Sequence, residues 1–239
     1  MGLTGRCALV TGASSGIGAA TAEVLAGAGC ELVLVGRDER RLAEVAERTR
    51  ARAVVADLTT AEGLARAAEA GDRVDLLVNN AGAGWAGDLA TMDPAQVGAL
   101  VDLNLAAPLQ LTRALLPTLR GRAGARVVFV SSIAAVGVRR EAVYSATKAG
   151  LRVFAASLRQ DGLGATTVLP GAVSTPFFAE RPYERRFPRQ VSAERVARAL
   201  VRAVERGRGE VFVPGWLSVA ARIRGAVPEL FDLGARRFG

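Results

Sequence analysis

Short apolar runs at 7–11, 31–35, 53–56, 74–78, 126–130, 166–169 and 210–213 alternate with longer amphipathic stretches near 17–28, 38–49, 60–70, 94–119, 142–160 and 192–206. The short runs are nearly continuous in Val, Leu and Ala, as in strands buried on both faces. The long ones carry Ala, Leu and Val on one helical side. This alternation predicts an α/β fold: one seven-stranded parallel sheet, doubly wound, with helices on both faces. No repeat, charge block or Gly/Ser linker interrupts the rhythm, so residues 1–239 are expected to form one domain. Two stretches depart from it. Segment 175–192 is long, rich in Pro and Arg, and holds Phe177, Phe178, Tyr183 and Phe187, which suits a lid over a binding site. Segment 216–239 is expected to be a helical extension, with Trp216, Leu217, Ala220, Ile223 and Val227 toward one side of an amphipathic helix.

Composition narrows the chemistry. The chain has no histidine, and Lys148 is the only lysine among 31 basic residues. A histidine general base, a Ser-His-Asp system and a His-ligated zinc are therefore excluded. Proton transfer is left to Tyr, Lys, Asp, Glu or Cys. An arginine-biased composition could leave a single lysine by chance, so its neighbours decide whether it matters. Cys7 and Cys30 make neither a disulfide framework nor a metal cluster, and both fall beside apolar runs as buried bystanders. No metal site is expected. With no leader-like N-terminus and no run of eighteen apolar residues, the reading is a cytoplasmic protein without a transmembrane segment. Of the formal net charge of +8, residues 176–239 carry most. Their arginines are dispersed at helical spacing among Glu, Ala and Val, which fits solvated helix faces better than a nucleic-acid surface.

Chemistry begins after the first strand, at Thr11-Gly12-Ala13-Ser14-Ser15-Gly16-Ile17-Gly18. Glycines at 12, 16 and 18 suit a strand-to-helix turn approached by a dinucleotide pyrophosphate, with the helix N-terminus as the anion site. Ser14 and Ser15 could add hydroxyl donors. The second strand ends Leu34-Val35-Gly36-Arg37-Asp38. Gly36 lacks the carboxylate that binds a ribose 2′-hydroxyl and Arg37 supplies a cation for a 2′-phosphate, so NADP(H) is preferred over NAD(H). An Asp38 turned inward would reverse that preference. Arg40 and Arg41 either reinforce the positive field or are simply solvated.

Several ordered motifs over residues 5–213 together resemble the classical short-chain dehydrogenase/reductases, a Rossmann-fold family of NAD(P)-dependent oxidoreductases. Thr11 to Gly18, including Ile17, is similar to the family's cofactor loop. Asp57 and Leu58 in Ala56-Asp57-Leu58-Thr59 stand where the family contacts adenine, and Asn79-Asn80-Ala81-Gly82 resembles its motif after the fourth strand. Pro170, Gly171, Val173 and Thr175 lie in the segment that the resemblance assigns to the nicotinamide carboxamide. Asn104, Ser132, Tyr144 and Lys148 match its catalytic set, which implies that Asn104 holds a proton-relaying water and that Tyr144 and Lys148 also touch the cofactor.

The pairing of Tyr144 and Lys148 has a physical purpose. Residues four apart share one helix face. A phenol ordinarily titrating near ~10 is held closer to its anionic form by a nearby ammonium. Ser132, at the end of the fifth strand, could hold a carbonyl oxygen while Tyr144 donates a proton. The family usually spaces serine and tyrosine thirteen apart. Here that interval would select Ser131, so Ser131 remains an alternative to Ser132, which fits a one-residue deletion in the following loop. The stretch 158–166 is also short for the family.

These residues imply an NADP(H)-dependent carbonyl reductase or alcohol dehydrogenase. The expected substrate is a small carbonyl or alcohol, apolar or aromatic, bounded by the segment after Ser132, by Ala83 to Asp88 with Trp85, and by the lid. Arg181, Arg185, Arg186 and Arg189 could engage an anionic group or merely solubilise the lid. Homodimer or homotetramer formation follows from the resemblance alone. The alternatives are a non-catalytic NADP(H) sensor and a peripheral membrane or nucleic-acid binder acting through the basic C-terminal region.

Overall fold

The computed structural model describes residues 2–175 and 189–227. Phe177, Phe178, Tyr183 and Phe187 of the expected lid, its Arg181, Arg185 and Arg186, and the chain from 228 onward lie outside the described residues.

The strands are β1 (Cys7–Thr11), β2 (Glu31–Gly36), β3 (Arg52–Val55), β4 (Leu76–Asn79), β5 (Arg126–Val130), β6 (Gly164–Pro170), β7 (Val173–Ser174), β8 (Val191–Ser192) and β9 (Glu210–Val213). Seven of them form one all-parallel sheet in the order β3-β2-β1-β4-β5-β6-β9. The order reverses between β1 and β4, the place where doubly wound sheets open a crevice at their carboxyl edge. Successive strand residues enter opposite layers. Ala8, Val10, Leu76, Val78, Val128 and Val130 pack into one; Leu9, Leu77, Val127 and Phe129 pack into the other. This explains why the strands read as continuous apolar runs rather than as alternating ones.

Helices α1 (Gly16–Gly27), α2 (Glu39–Thr49) and α7 (Ala193–Glu205) cover the first layer through Leu25, Leu42, Val45, Val196 and Leu200. Helices α3 (Ala61–Ala70), α5 (Ala107–Arg120) and α6 (Ala142–Gln160) cover the second through Ala67, Leu111, Leu115, Leu151 and Ala155. The expected helix 94–119 is not continuous. It runs as α4 (Pro94–Val101), a π turn (Asp102–Ala106) and then α5. Residue 108 is proline, so the α-helical donor to the Asn104 carbonyl does not exist, and the wider i→i+5 turn accommodates the break.

The last described helix, α8 (Leu217–Ala226), corrects the expected buried face. Leu217 and Ala221 are its inward residues, whereas Trp216, Ile223 and Val227 are exposed. Arg224 Nε donates to the Val136 carbonyl at 3.0 Å, and this docking rotates the expected apolar side outward.

At the amino edge of the sheet, Asp75 is 1% exposed. It accepts hydrogen bonds from Arg6 Nη1 at 2.9 Å, Arg122 Nε at 2.7 Å, Arg122 Nη2 at 3.1 Å and the Cys7 N–H at 2.9 Å. Burial alone would raise its carboxyl, but the donors from Arg122, Cys7 and Arg6 outweigh it and hold the pKa down to about 2. A depressed carboxylate stabilises the fold above its unfolded pKa, and the contribution is lost as pH falls toward 2. Asp75→Asn should therefore destabilise by on the order of 2 kcal/mol at neutral pH. Urea unfolding should show this as a lower midpoint and as a wild-type advantage that disappears in acid.

Cys7 packs toward one layer and Cys30 toward the other. Burial raises both thiols, Cys30 to about 11, so neither is poised as a nucleophile.

Candidate active site

A cleft of about 490 Å³ follows the carboxyl edge of the sheet, from the ends of β2 and β3 past the switch point to the ends of β5 and β6. Its wall near the switch point is the loop between β1 and α1. Gly12 (φ +64°) and Gly16 (φ +56°) adopt left-handed backbone that other residues resist. A Cβ at Gly12 would lie 2.8 Å from Ala81 Cα, and one at Gly16 3.2 Å from Thr175 Cγ2. Ser14, Ser15, Gly16 and Ile17 border the cleft. Gly18 does not: a Cβ there would collide with the Gly12 carbonyl, so this glycine lets α1 close up beneath the loop.

Helices α2, α3, α4 and α7 have side-chain N-caps, from Asp38, Thr60, Asp93 and Ser192. Helix α1 has none, because its N-cap Ser15 makes no side-chain hydrogen bond to the helix. Its first N–H groups therefore meet the cleft without a side-chain acceptor, with glycines removing the Cβ atoms that would block approach. This cradle fits a pyrophosphate.

Asn80 holds the loop in place. Its Nδ2 donates to the carbonyls of Thr11 (2.9 Å) and Gly12 (3.2 Å), and Thr11 Oγ1 accepts the N–H groups of Asn80 and Ala81, each at 3.0 Å. Asn80, Ala81 and Gly82 all border the cleft.

At the β2 end, Asp38 accepts the Arg41 N–H at 3.0 Å and pairs with the Arg41 guanidinium at 3.1 Å. It thus caps its own helix while bordering the cleft. Arg40 pairs with Glu44 at 2.6 Å. Arg37 borders the cleft and lies 3.7 Å from Asp57. The Asp57 carboxyl is held below its usual range by the N–H and hydroxyl of Thr59, with Arg37 adding to the effect. Leu58 lines the cleft beside it; Asp57 itself does not.

At the other end, Tyr144 and Lys148 project from α6, 8% and 4% exposed. Lys148 Nζ lies 5.7 Å from the centroid of the Tyr144 ring and donates to the Val130 carbonyl at 3.0 Å. Burial pushes its ammonium down to about 8. The two serines have different partners. Ser131 Oγ donates to the Lys148 carbonyl at 2.7 Å, tying β5 to α6. Ser132 Oγ accepts the Ala134 N–H at 3.1 Å, which leaves its own proton available among the described residues. The hydrogen bonding thus favours Ser132 over Ser131 as a carbonyl donor.

Asn104 is fully buried in the π turn. Its Oδ1 accepts the Ala83 N–H and its Nδ2 donates to the Ala83 carbonyl, both at 2.8 Å. The side chain therefore clamps the segment following Gly82, and its Nδ2 also reaches Thr147 Oγ1 at 3.4 Å. A Cβ at Gly82 would lie 3.0 Å from Asn104 Oδ1 and 3.3 Å from Lys148 Nζ.

Pro170, Gly171, Val173 and Thr175 border the cleft from beyond β6. The two-residue strands β7 and β8, which sequence patterning did not anticipate, pair in parallel and pin both ends of the segment between them. Arg189 is exposed just before β8. Trp85 packs with Met92, Leu100, Ala134 and Tyr144 and supports the tyrosine rather than lining the cleft. Sequence reading missed Leu103, Val138 and Glu141, all on the cleft wall. For Glu141 the available signal was its position three residues before Tyr144.

Residues 6–186 match the family model for short chain dehydrogenases. An uncharacterized oxidoreductase of Staphylococcus saprophyticus is 33% identical over 218 residues, covering 85% of this chain and 92% of that protein. The crystal structure of a short-chain dehydrogenase/reductase from Burkholderia phymatum in complex with NAD superposes with a TM-score of 0.86 at 24% identity, over 96% of each chain, a likeness of fold. A short-chain dehydrogenase from Sphingobium yanoikuyae in complex with NADPH gives a TM-score of 0.82 at 28% identity, over 94% of this chain and 96% of that one. With its parallel sheet, glycine cradle and Tyr144–Lys148 pair, the chain belongs to the classical short-chain dehydrogenase/reductase family of oxidoreductases.

Proposed function

We propose that the protein is an NADP(H)-dependent carbonyl reductase, acting as an alcohol dehydrogenase in reverse, with Tyr144 as general acid and base. The observation that carries this reading is the buried Lys148 beside Tyr144 at one end of a cleft whose other end holds an uncapped helix and Arg37. The nicotinamide group, when bound, supplies or accepts the hydride.

The protein's own residues do the rest. The Ser132 hydroxyl donates to the substrate oxygen, and the Tyr144 hydroxyl delivers the proton to it. Lys148 keeps a positive charge by the phenol, so that the tyrosine anion left after proton transfer is stabilised. Asn104 acts through position: by clamping Ala83 it fixes Gly82 against Lys148 Nζ. Ser14, Ser15, Gly16 and Ile17 hold the pyrophosphate, with Thr175 and its neighbours closing the nicotinamide side.

Preference for NADP(H) rests on Arg37 at the end of β2 and on Asp38 capping α2. Arg37→Glu should raise KM for NADPH by about 10–100-fold, the worth of one charge-assisted phosphate contact, with little change for NADH. Equal effects on both cofactors would remove Arg37 from this role.

Working in the cytoplasm as a homodimer or homotetramer belongs to the same reading. Among the described residues no helix is long and apolar enough to cross a membrane, and Val153 on α6 is 66% exposed, as a subunit contact would require. The function is tested by following NADPH oxidation over ketones and aldehydes, with NADH in parallel. Turnover of a carbonyl with NADPH favoured is expected, and inertness toward every carbonyl class would refute it.

A further inference from the structure

Lys148 is held at both ends by consecutive residues of one strand end. Its Nζ donates to the Val130 carbonyl at 3.0 Å, and its backbone carbonyl accepts the Ser131 hydroxyl at 2.7 Å. Side chains alternate along a strand, so Val130 enters the layer of α1 and α7 while Phe129 and Ser131 face α6. Phe129 meets Phe154 of α6 edge to face, with ring centroids 5.6 Å apart. Apolar burial of that kind holds two elements together without fixing a direction. The buried Ser131 bond supplies one, because an O–H···O contact is narrow in length and angle. Lys148 stands inside α6, where its carbonyl has one lone pair for the helical N–H and a second for the serine. The helix is thus complete without this hydroxyl, and what the bond adds is the register of α6 on β5. That register matters for Ser132 and Tyr144. One follows β5 and the other stands on α6, yet both hydroxyls must reach the same substrate oxygen.

We propose that Ser131 is a positioning residue for the reaction: by fixing α6 on the end of β5, its hydroxyl keeps Lys148 on the Val130 carbonyl and brings Tyr144 and Ser132 to one substrate oxygen. The inference rests on the carbonyl-reductase reading for the site. Ser131 also borders the cleft, but its proton is committed to the Lys148 carbonyl, so it acts through its neighbours rather than on the substrate.

The test uses the composition of the chain. Lys148 is its only lysine, so full-length protein made with lysine carrying ¹³C at Cε gives one NMR signal, which reports on the ammonium end without assignment and without turnover. Thr166 provides the comparison: its hydroxyl is also buried and donates to a backbone carbonyl, that of Arg208, at 2.7 Å, but toward the amino end of β6. Ser131→Ala should shift the lysine signal and lower kcat by about 10–100-fold, the effect of misplacing a reacting group by about 1 Å. KM for NADPH should stay within about threefold. Thr166→Val should leave the lysine signal and kcat as in wild type. Wild-type kcat in Ser131→Ala, an unmoved lysine signal there, or an equal shift in Thr166→Val would each overturn the proposal. So would a fast Ser132→Ala beside a slow Ser131→Ala, because Ser131 would then be the carbonyl donor itself. A lysine signal shifted in Ser131→Ala alone, with no NADPH oxidation on any ketone by the wild-type protein, would instead uphold the hold on Lys148 and remove the carbonyl-reductase reading.

Discussion

Replacing Tyr144 with phenylalanine should lower kcat by about 10³-fold, the usual range for removing a positioned acid, while the dissociation constant for NADPH stays within about threefold. Only the hydroxyl is deleted. The ring still packs against Met92, Leu100 and Ala134, with Trp85 behind them, so the thermal midpoint should move by no more than about 2 °C. Steady-state kinetics with a ketone, paired with NADPH titration and thermal unfolding, separate the cases. Retained kcat would show that the phenol is not the proton donor. A large fall in the thermal midpoint would show that the hydroxyl is structural.

Lys148→Met should split activity from stability. The ammonium is 4% exposed, and burial lowers its pKa from 10.5 to about 8. Because the folded value lies below the unfolded one, the charged form is disfavoured by folding. The cost is fully present below pH 8, about 3 kcal/mol on this shift, and is relieved as pH rises toward 10.5. Methionine removes that cost at similar length but forfeits the bond to the Val130 carbonyl, worth about 1 kcal/mol. The ligand-free variant should therefore be more stable than wild type by about 2 kcal/mol at pH 7, with the gap closing between pH 8 and 10.5. Its kcat should fall by about 10²-fold or more, because the tyrosine anion loses its cation. Denaturant midpoints across pH, together with kcat, read both effects. A variant less stable than wild type at pH 7 would mean that Lys148 is retained for the fold.

The sheet was legible because its central strands are buried on both faces, which writes continuous apolar runs such as residues 76–78 into the chain, whereas β3 buries only Val54. The cofactor loop was legible because its backbone tolerates only glycine at positions 12 and 16. What escaped depends on contacts distant in sequence. The choice between Ser131 and Ser132 turns on which hydroxyl reaches the Lys148 carbonyl. That Asp38 caps α2 while also bordering the cleft is visible only in the folded chain. The clamp of the Asn104 amide on Ala83 joins residues distant in sequence, and the π turn beneath it follows from a missing proline N–H that periodicity does not register. The inward face of α8 is set by docking through Leu217, Ala221 and Arg224 rather than by its own apolar stripe. Glu141 carries no motif, and only the cavity shows where it stands.

The imbalance between one lysine and thirty arginines also acquires a physical reason. Lys148 is buried and its Nζ donates to the Val130 carbonyl. Burial lowers this ammonium's pKa to about 8, whereas a guanidinium in its place would keep its charge at every relevant pH.

Isotope transfer decides the chemistry directly. The protein is incubated with NADPH carrying deuterium at both C4 positions and with a ketone that it turns over, and the alcohol is analysed by mass spectrometry. One deuterium on the carbinol carbon is expected with the wild-type protein, and formation of that product should fall by about 10³-fold in Tyr144→Phe. Tight NADPH binding with no deuterium delivered to any carbonyl, or equal product from Tyr144→Phe, would contradict hydride transfer assisted by Tyr144.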